Sequence, residues 1–471
     1  GNSFTKLTTW YAPDEASFTH ADIHFMRFID GKFFAGTDGG VYVSENEGVN
    51  FTDLTKTMGI SQFYKISVSP QNSNNIVGGI QDNGGMAINE NTWRNWHGGD
   101  GMEGQSHPTE PNTHYGFTQN GGNLYKTTNG GNSNQRVTSS PTAEGDGGEW
   151  VTPMAINSAG VVYAGYRKLY KIVDNNWVDV SGTIRNSSGN LDQLEIDPNE
   201  DNNIYLGSSS NFFRSTDGGV NFTKLSSFSG GTINGIEVSG NDSNIAWIAA
   251  SGGVYKSINL LDAVPTFTNI TENLPSETKL TVKHHVRSGN NTIYVGTTLG
   301  VYFINDGLSQ WEVFDTNLPN VAIRDLDINE EDSKLYAGTY GRGVFITDIP
   351  HIVPDSDIRL ISINNPNSTI NCNGDISPQI TVKNQGSTSI TSATINYNLN
   401  GGANQVYNWT GNISAGNSTE ITIPTNNWDK GVHTLTIETI ITNDAYSANN
   451  TMATSFYINE FSTSPTTVNT F

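Results

Sequence analysis

At 471 residues, the chain is long enough for two or three domains, each with its own core. Its 24 Lys and Arg residues against 46 Asp and Glu residues give a net charge of −22, which argues against nucleic acid or an anionic membrane as a partner. A single cysteine, Cys372, excludes an intrachain disulfide. No apolar run reaches the ~18 residues of a transmembrane helix, and no signal peptide is recognisable at the start.

The first residues read like the middle of a repeat. Residues 1–7 (Gly-Asn-Ser-Phe-Thr-Lys-Leu) match residues 219–225 (Gly-Val-Asn-Phe-Thr-Lys-Leu). We therefore expect that residue 1 is not a natural start. We also expect residues 3–10 to form an outermost strand that completes the last repeat of the chain.

An eight-residue pattern, Ser/Thr-x-Asp-x-Gly-x-x-aromatic, recurs along the first 350 residues and is called an Asp-box. Asp or Asn bonds the amides of its own turn, Gly accepts positive φ, and the aromatic residue returns on the next strand toward the core. The pattern therefore predicts an outer hairpin whose residues are structural. Its clearest copies lie at Ser44, Asn46, Gly48 and Phe51, and at Ser215, Asp217, Gly219 and Phe222.

Each such turn follows an alternating strand, a polar turn and a further short strand. Clear examples of this order begin at Phe33, Ile204, Ile293 and Leu335. About eight units recur roughly every 40 residues, the period of four-stranded propeller blades, and helical periodicity is almost absent. We therefore predict an all-β protein in which residues 1–350 form a β-propeller of about eight blades, with seven as the alternative. Closing the ring removes exposed sheet edges.

The pattern changes after residues 351–356, which read as a linker. About seven short alternating strands, separated by Gly and Asn turns, occupy residues 357–459. Strands of this number and length predict an immunoglobulin-like β-sandwich. Residues 460–471 are rich in Ser, Thr and Pro and read as the start of a linker to a C-terminal domain that this chain lacks.

Five motifs follow one another between residues 17 and 110: HADIH at 20–24, GTDGG at 36–40, QFY at 62–64, GIQDNG at 79–84 and GGDG at 98–101. The set is similar to Asp-box (BNR) propellers of the sialidase-like, sortilin-like and xyloglucanase-like kinds. It most resembles large secreted Bacteroidetes proteins with an immunoglobulin-like module and a type nine sorting domain after the propeller. The resemblance implies export through the outer-membrane translocon of that system and an extracellular or cell-surface location.

Two groups of residues have the composition of metal sites. His20, Asp22 and His24 alternate, so on an innermost strand all three would face one way and offer two imidazoles and a carboxylate. The alternative is a hydrogen-bonded polar cluster at the centre of the ring. Glu144, Asp146 and Glu149 stand in a Gly-rich loop and offer the oxygen ligands that calcium or another divalent metal prefers.

Acidic and aromatic residues supply candidate ligand contacts. Asp22 and Asp100 are the candidate carboxylate pair for glycoside hydrolysis, which needs about 5–9 Å between the two groups. The alternative for Asp82 and Asp100 is the stabilisation of turns. The candidate ligand-binding residues, chosen as polar groups in Gly-rich turns or aromatic residues near inner strands, are Tyr64, Asp82, Asn83, Trp96 and Trp150.

Three hypotheses from different classes fit these observations, and the third is that the chain is chiefly a passenger of the secretion machinery. The preferred hypothesis is a non-enzymatic secreted or cell-surface protein that binds a glycan or a surface protein through the propeller. The alternative is an extracellular glycoside hydrolase acting on a polysaccharide. A sialidase is disfavoured because the arginines are spread over the repeats and no Arg-Ile-Pro sequence is present.

Overall fold

A computed structural model describes residues 4–89, 91–141, 147–181, 184, 189–367, 370–371 and 374–459. This part of the chain contains 41 strands and no α-helix, with short 3₁₀ helices at Thr55–Thr57, Gln119–Gly121, Val286–Ser288 and Ser447–Asn449. No helix in it is long and apolar enough to cross a membrane. The predicted all-β class is confirmed.

Eight antiparallel sheets follow one another along the chain, and each is built from consecutive strands. The first contains β1 (Ile23–Ile29), β2 (Lys32–Thr37), β3 (Gly40–Ser44) and β4 (Thr52–Asp53). The second contains β5 (Phe63–Ser69), β6 (Asn72–Ile80), β7 (Gly84–Asn89) and β8 (Thr92–His97). The third contains β9 (Gly101–Ser106), β10 (His114–Thr118), β11 (Asn123–Thr127) and β12 (Gln135–Ser139). The fourth contains β13 (Met154–Ile156), β14 (Val162–Gly165), β15 (Leu169–Val173) and β16 (Asn176–Asp179).

The remaining four sheets repeat this plan, but the last has three strands. The fifth contains β17 (Gln193–Ile196), β18 (Ile204–Ser208), β19 (Asn211–Ser215) and β20 (Thr223–Lys224). The sixth contains β21 (Ile233–Val238), β22 (Ala246–Ala250), β23 (Gly253–Ser257) and β24 (Thr268–Asn269). The seventh contains β25 (Lys279–His284), β26 (Ile293–Thr297), β27 (Val301–Ile304) and β28 (Glu312–Val313). The eighth contains β29 (Ile323–Asn329), β30 (Lys334–Thr339) and β31 (Val344–Asp348).

Seven of these sheets form a closed ring. Their innermost strands pack in the order β5, β9, β13, β17, β21, β25 and β29, and β29 packs back against β5. We call the β29–β5 contact the seam. Two carboxylates of β29 close it, because Asp325 accepts the amide of Ile66 at 3.1 Å and Asp327 accepts the amide of Val68 at 2.8 Å.

The first sheet, β1–β4, lies outside this ring. We expected eight blades closed by residues 3–10; eight sheets are present, but the last has three strands, and the described residues ahead of Ile23 form no strand. Leu7 instead packs on Gly48 of the first sheet, where an added Cβ would meet Leu7 Cδ1 at 2.8 Å. The seam hydrogen bonds leave no place for another sheet between β29 and β5.

The Asp-box turns connect the third and fourth strands of a sheet. In the copy after β19, the Ser215 hydroxyl donates to Asp217 Oδ1 at 2.7 Å and accepts the Gly219 amide at 2.9 Å. Asp217 Oδ1 also accepts the Asn221 amide at 2.9 Å, and this bond is the main reason that the pKa of Asp217 is lowered. The residues therefore bond one another within an outer hairpin.

Residues 358–458 form a β-sandwich whose strands share one apolar core. One sheet has the order β32-β35-β38, the other the order β33-β41-β40-β36-β37, and β34 pairs with β39. The strands are β32 (Ile358–Asn365), β33 (Ile370–Asn371), β34 (Asp375–Ile376), β35 (Gln379–Asn384), β36 (Ile390–Leu399), β37 (Gln405–Ile413), β38 (Ser418–Thr422), β39 (Asn426–Asn427), β40 (Gly431–Ile440) and β41 (Thr451–Ile458).

Buried ion pairs attach the sandwich to the end of the ring where the inner strands finish. Arg287, which follows β25, pairs with the fully buried Asp357. Arg359 of β32 pairs with Glu331, which follows β29, at 3.4 Å and donates to the Gln71 carbonyl at 2.7 Å. Residues 460–471 lie outside the described residues.

We predict that Asp325→Ala weakens the ring. Asp325 is 9% exposed and also accepts Lys65 Nζ and Thr281 Oγ1, each at 3.3 Å. Removing it leaves a lysine and an amide without their acceptor in the ring interior, so we expect a loss of about 3–5 kcal/mol in the free energy of unfolding. Urea titration measures this loss.

Asp348→Ala is the matched control, because Asp348 is exposed on β31 of the same sheet and its removal should change stability by at most about 0.5 kcal/mol. A Lys65→Met, Asp325→Ala double mutant should recover part of the loss. Equal, small effects at Asp325 and Asp348 would contradict this account of the seam.

Candidate functional site at the mouth of the ring

A cavity of about 420 Å³ runs along the ring axis between the inner strands. Its wall carries charged or polar side chains at equivalent positions of these strands. Lys65, Thr281 and Asp325 are the third residues of β5, β25 and β29, and Glu237, Lys283 and Asp327 are the fifth residues of β21, β25 and β29. Their side chains bind mainly one another: Lys283 Nζ lies 3.5 Å from both Glu237 Oε2 and Asp327 Oδ1.

Burial changes the protonation of this wall. It raises the pKa of Glu103 to about 7 against the opposing effect of Lys65, and it raises the pKa of Glu195 well above its usual range. The raised pKa values of these acids, and the pairing of other carboxylates with lysines, therefore lower the negative charge inside the ring. We infer that these charged groups hold neighbouring sheets of the ring together.

The end of the cavity where the inner strands begin, which we call the mouth, carries a hydrogen-bonded aromatic cluster. The mouth cluster consists of Tyr64, Gln81, Trp150 and Tyr340. Both tyrosine hydroxyls donate to Gln81 Oε1, and Trp150 Nε1 donates to Tyr64 Oη at 3.0 Å. Tyr64 and Tyr340 also pack together, with ring centroids 5.5 Å apart.

Three sheets supply the mouth cluster. Tyr64 is the second residue of β5, Gln81 begins the β6–β7 turn, Trp150 precedes β13, and Tyr340 follows β30 across the seam. An isolated β-bridge between Gln62 and Tyr340 fixes the two sides of the seam at this level. Trp150 is 44% exposed, and its indole is nevertheless held in place by this hydrogen bond.

A guanidinium borders the mouth cluster. Arg324, the second residue of β29, stacks on the Tyr340 ring with its Cζ 4.9 Å from the centroid. Its Nε atom is buried, and within the described residues it has no hydrogen-bond partner. Burial is the main cause that raises the pKa of Tyr340 to about 12, so the phenol stays a hydrogen-bond donor at neutral pH.

Asp82 and Asp100 meet beside the mouth cluster. Asp82 has φ of 60° in the β6–β7 turn, and its amide donates to Asp100 Oδ1 at 2.7 Å. Burial, followed by the hydrogen bond and the negative charge of Asp100, raises the pKa of Asp82 to about 6. Asp100 thus stabilises the turn, as the alternative interpretation expected, and also changes the acidity of its neighbour.

The predicted metal site is not assembled. His24 Nε2 lies 2.6 Å from Asp38 Oδ1, whereas His20 Nε2 contacts the Asp82 carbonyl at 3.0 Å. The prediction of one strand face is wrong because β1 begins only at Ile23 and Asp22 has φ of 56°. No group of three or more His, Cys, Asp and Glu side chains in the described residues could hold a metal. Of the calcium candidates, Glu144 and Asp146 lie outside those residues.

The structure places the remaining predicted site residues in the core, in a turn or at the mouth of the cavity. Trp96 is 3% exposed and packs with Val77 and Ala87, so its prediction as a ligand contact is wrong. Asn83 Nδ2 donates to the Gln81 carbonyl at 3.0 Å and stabilises the turn. Tyr64 and Trp150 are brought together at the mouth.

The predicted catalytic pair, Asp22 with Asp100, is not formed by the structure. Asp22 is exposed before the first sheet, while the carboxylate of Asp100 binds the turn of Asp82. Asp82 and Asp100 are themselves in hydrogen-bond contact, closer than the about 5–9 Å that glycosidase carboxylates require.

Sequence reasoning gave no site role to Gln81 or Arg324. One signal for Arg324 was available, since it occupies the same second position of an inner strand as Tyr64. Gln81 had no comparable signal, because its role depends on two tyrosines that are 276 residues apart.

No protein-family model matches this sequence, and no curated protein matches it significantly. Among solved structures, the chain is similar to a GH74 xyloglucanase from Xanthomonas campestris, with TM-score 0.52 and 15% identity over 72% of this chain and 52% of the xyloglucanase. It is also similar to PorZ, a surface component of the type-IX secretion system of Porphyromonas gingivalis, with TM-score 0.50 and 14% identity over 94% of this chain and 66% of PorZ.

An ancestral GH74 enzyme gives TM-score 0.50 and 15% identity over 84% of this chain and 62% of the enzyme. The ring of antiparallel sheets and the similarity to these solved structures indicate the same fold. The chain contains a β-propeller. It spans about half the length of the xyloglucanase and about two thirds of PorZ, and at such identities the similarity concerns the fold of the propeller alone.

We predict that Asp82 titrates near pH 6 and that Asp100→Asn lowers its pKa toward the ordinary value of 3.8. Asn keeps an oxygen that accepts the Asp82 amide but removes the charge. Because the folded-state pKa is raised, the folded protein holds a proton between about pH 4 and 6 that the unfolded chain releases. The raised pKa of Asp82 therefore contributes to the free energy of unfolding below about pH 4, and this contribution is lost as the pH rises through about 6.

Carbon-detected NMR of the Asp82 carboxyl measures the titration. Asp38→Asn is the control, because Asp38 contributes less than Asp100 to the raised pKa. An Asp82 pKa near 4 in the unsubstituted protein would contradict the proximity of the two carboxyl groups.

Proposed function

We propose that this protein is a non-enzymatic, secreted or cell-surface binding protein that recognises a glycan at the mouth of its propeller. The observation that carries the proposal is the fixed, half-exposed indole of Trp150 within the mouth cluster. Aromatic rings offer flat apolar faces, which match the C–H faces of sugar rings. Because the indole is already hydrogen-bonded to Tyr64, little side-chain entropy is lost when a sugar stacks on it.

The polar groups around the indole can form hydrogen bonds with the hydroxyl groups of a sugar. Tyr64, Tyr340 and Gln81 offer hydroxyl and amide groups within one cluster. Arg324 has no ion pair within the described residues and borders the same opening. Its guanidinium favours a ligand with a carboxylate, so we propose that glycans containing uronic acids bind more tightly than neutral ones.

A glycoside hydrolase is the second candidate, and one observation favours it. The raised pKa of Asp82, about 6, is suitable for a general acid. The short contact with Asp100 opposes it, because no sugar and water fit between two groups in hydrogen-bond contact. We therefore place binding first.

The location and the C-terminal module are part of the same proposal. The resemblance of the sequence motifs to exported Bacteroidetes proteins, and the fold similarity to PorZ, support export by the type nine secretion system. We also propose that the sandwich is immunoglobulin-like. Its two sheets, with strand orders β32-β35-β38 and β33-β41-β40-β36-β37, support this, because two mainly antiparallel sheets around one apolar core are the architecture of that family of sandwiches.

We predict that Trp150→Ala weakens glycan binding by at least about tenfold, the effect of losing a central aromatic contact. The probes are polygalacturonate and neutral xyloglucan, with affinities measured by isothermal titration calorimetry. Polygalacturonate should bind more tightly, and Arg324→Met should reduce this preference.

Trp93→Ala is the matched control, since Trp93 is 39% exposed on the outer strand β8 and its removal should leave binding unchanged. Equal losses at Trp93 and Trp150, or no binding to any glycan, would contradict the proposed site. Release of reducing sugars that Asp100→Asn abolishes would favour the hydrolase instead.

A further inference from the structure

A group of charged side chains joins the ring to the sandwich, and we call this group the joint. It consists of Arg287, Glu331, Asp332, Asp357 and Arg359. Less than a tenth of each of these side chains is exposed, except for that of Asp332. Because water screens buried charges little, the balance of charge in the joint bears on whether the two parts stay together.

Two arginines face three carboxylates in the joint. Arg287 is balanced by Asp357. Arg359 is balanced by Asp332 at 3.3 Å, so Glu331 adds an unbalanced negative charge when it is ionised. The contacts of Glu331 with Arg287 and Arg359 are long, 3.7 Å and 3.4 Å. Both of its oxygens are buried, and neither has a hydrogen-bond partner within the part of the chain that the structure describes. Glu331 is therefore the carboxylate of the joint with the least compensation for losing its proton.

Further titratable and charged groups surround the joint on every side. From the ring they are His285, Glu330 and Lys334, from the linker His351, and from the segment between β40 and β41 Asp444 and Tyr446. Burial lowers the pKa of His285 to about 4, so this histidine is uncharged above that pH and does not offset an ionised Glu331.

Glu330 and Glu331 are adjacent, but only Glu330 is held by hydrogen bonds. Its two oxygens accept the amides of Val286 at 2.8 Å and Arg287 at 3.0 Å, and a proton on Glu330 would displace one of these bonds. We therefore assign Glu330 to holding the turn after β25, although burial raises its pKa to about 7. Glu331 has no such bonds, and burial raises its pKa to about 7 against the charges of Arg359 and Arg287.

We propose that Glu331 is a pH-dependent lock between the ring and the sandwich, closed while its carboxyl group holds a proton and released when the proton leaves. The protonated form leaves the two ion pairs of the joint in balance, whereas the ionised form adds a buried charge without a partner of its own. Because the pKa in the joined state lies above the ordinary value of 4.5, the contribution of Glu331 is complete below about pH 4.5. It is lost as the pH rises through about 7.

Release of the lock changes the orientation of the sandwich and leaves the binding site intact. Residues 351–356 keep the two parts connected, and the sandwich becomes free to turn about them. The mouth cluster lies at the other end of the inner strands and shares no residue with the joint. The lock is therefore independent of what the mouth binds.

The distance between two spin labels tests the lock in the whole chain. The labels are attached at Ser227→Cys, between β20 and β21, and at Ala403→Cys, in the β36–β37 turn, both exposed, with Cys372→Ser as background. We expect one narrow distance distribution at about pH 6 and a distribution about twofold broader at about pH 8.5, with a midpoint near pH 7. Glu331→Gln mimics the protonated group and should keep the narrow distribution at both pH values.

Glu312→Gln is the matched control, since Glu312 is exposed on the outer strand β28 of the ring and its replacement should leave the pH response unchanged. The same distribution at both pH values in the labelled chain without further substitution would overturn the proposal. This comparison does not depend on the folding of any Glu331 variant. A Glu331→Gln chain that folds and still responds to pH would overturn the proposal as well.

Discussion

The architecture depends on one buried carboxylate, that of Asp325. It accepts bonds from Lys65 and the Ile66 amide of β5 and from Thr281 of β25, so a single side chain of β29 joins three sheets. Removing charges from water is costly, and a buried pair is stable only when its remaining bonding capacity is satisfied. Asp325 meets this condition only if the ring is closed, because two of its partners lie about 260 residues away in sequence.

The geometry of the mouth cluster depends on the closure of the ring at the seam. Tyr64 and Tyr340 stand on opposite sides of the seam and share Gln81 as their acceptor, while Trp150 is held by Tyr64. A change that opened the seam would separate the two tyrosines before any ligand arrived. The site is therefore rigid for the same reason that the ring is stable. At the opposite end, the ion pairs of Arg287, which follows β25, and of Arg359 with Glu331, which follows β29, attach the sandwich to the ring.

Features that depend on short stretches of sequence were predictable. The Asp-box at Ser215 and the all-β class follow from turn chemistry and alternation within a few residues. Membership of the ring was not predictable, because the first sheet has the same local pattern as the seven sheets that close. The difference lies in the contact of β29 with β5, which no local pattern encodes. Trp96 and Trp150 show the same limit: both are tryptophans near Gly-rich segments, but the first is packed between sheets and the second lies at the mouth.

A disulfide across the seam tests the closed ring of seven sheets most directly. Gln62 and Tyr340 are partners in an isolated antiparallel bridge, a relation that brings Cα atoms within the range a disulfide spans. Gln62→Cys and Tyr340→Cys, introduced together with Cys372→Ser, should form an intramolecular disulfide on mild oxidation of the folded protein, with the loss of both free thiols. Two thiols that stay reactive in the folded, oxidised protein would show that these sheets are not neighbours and would contradict the ring.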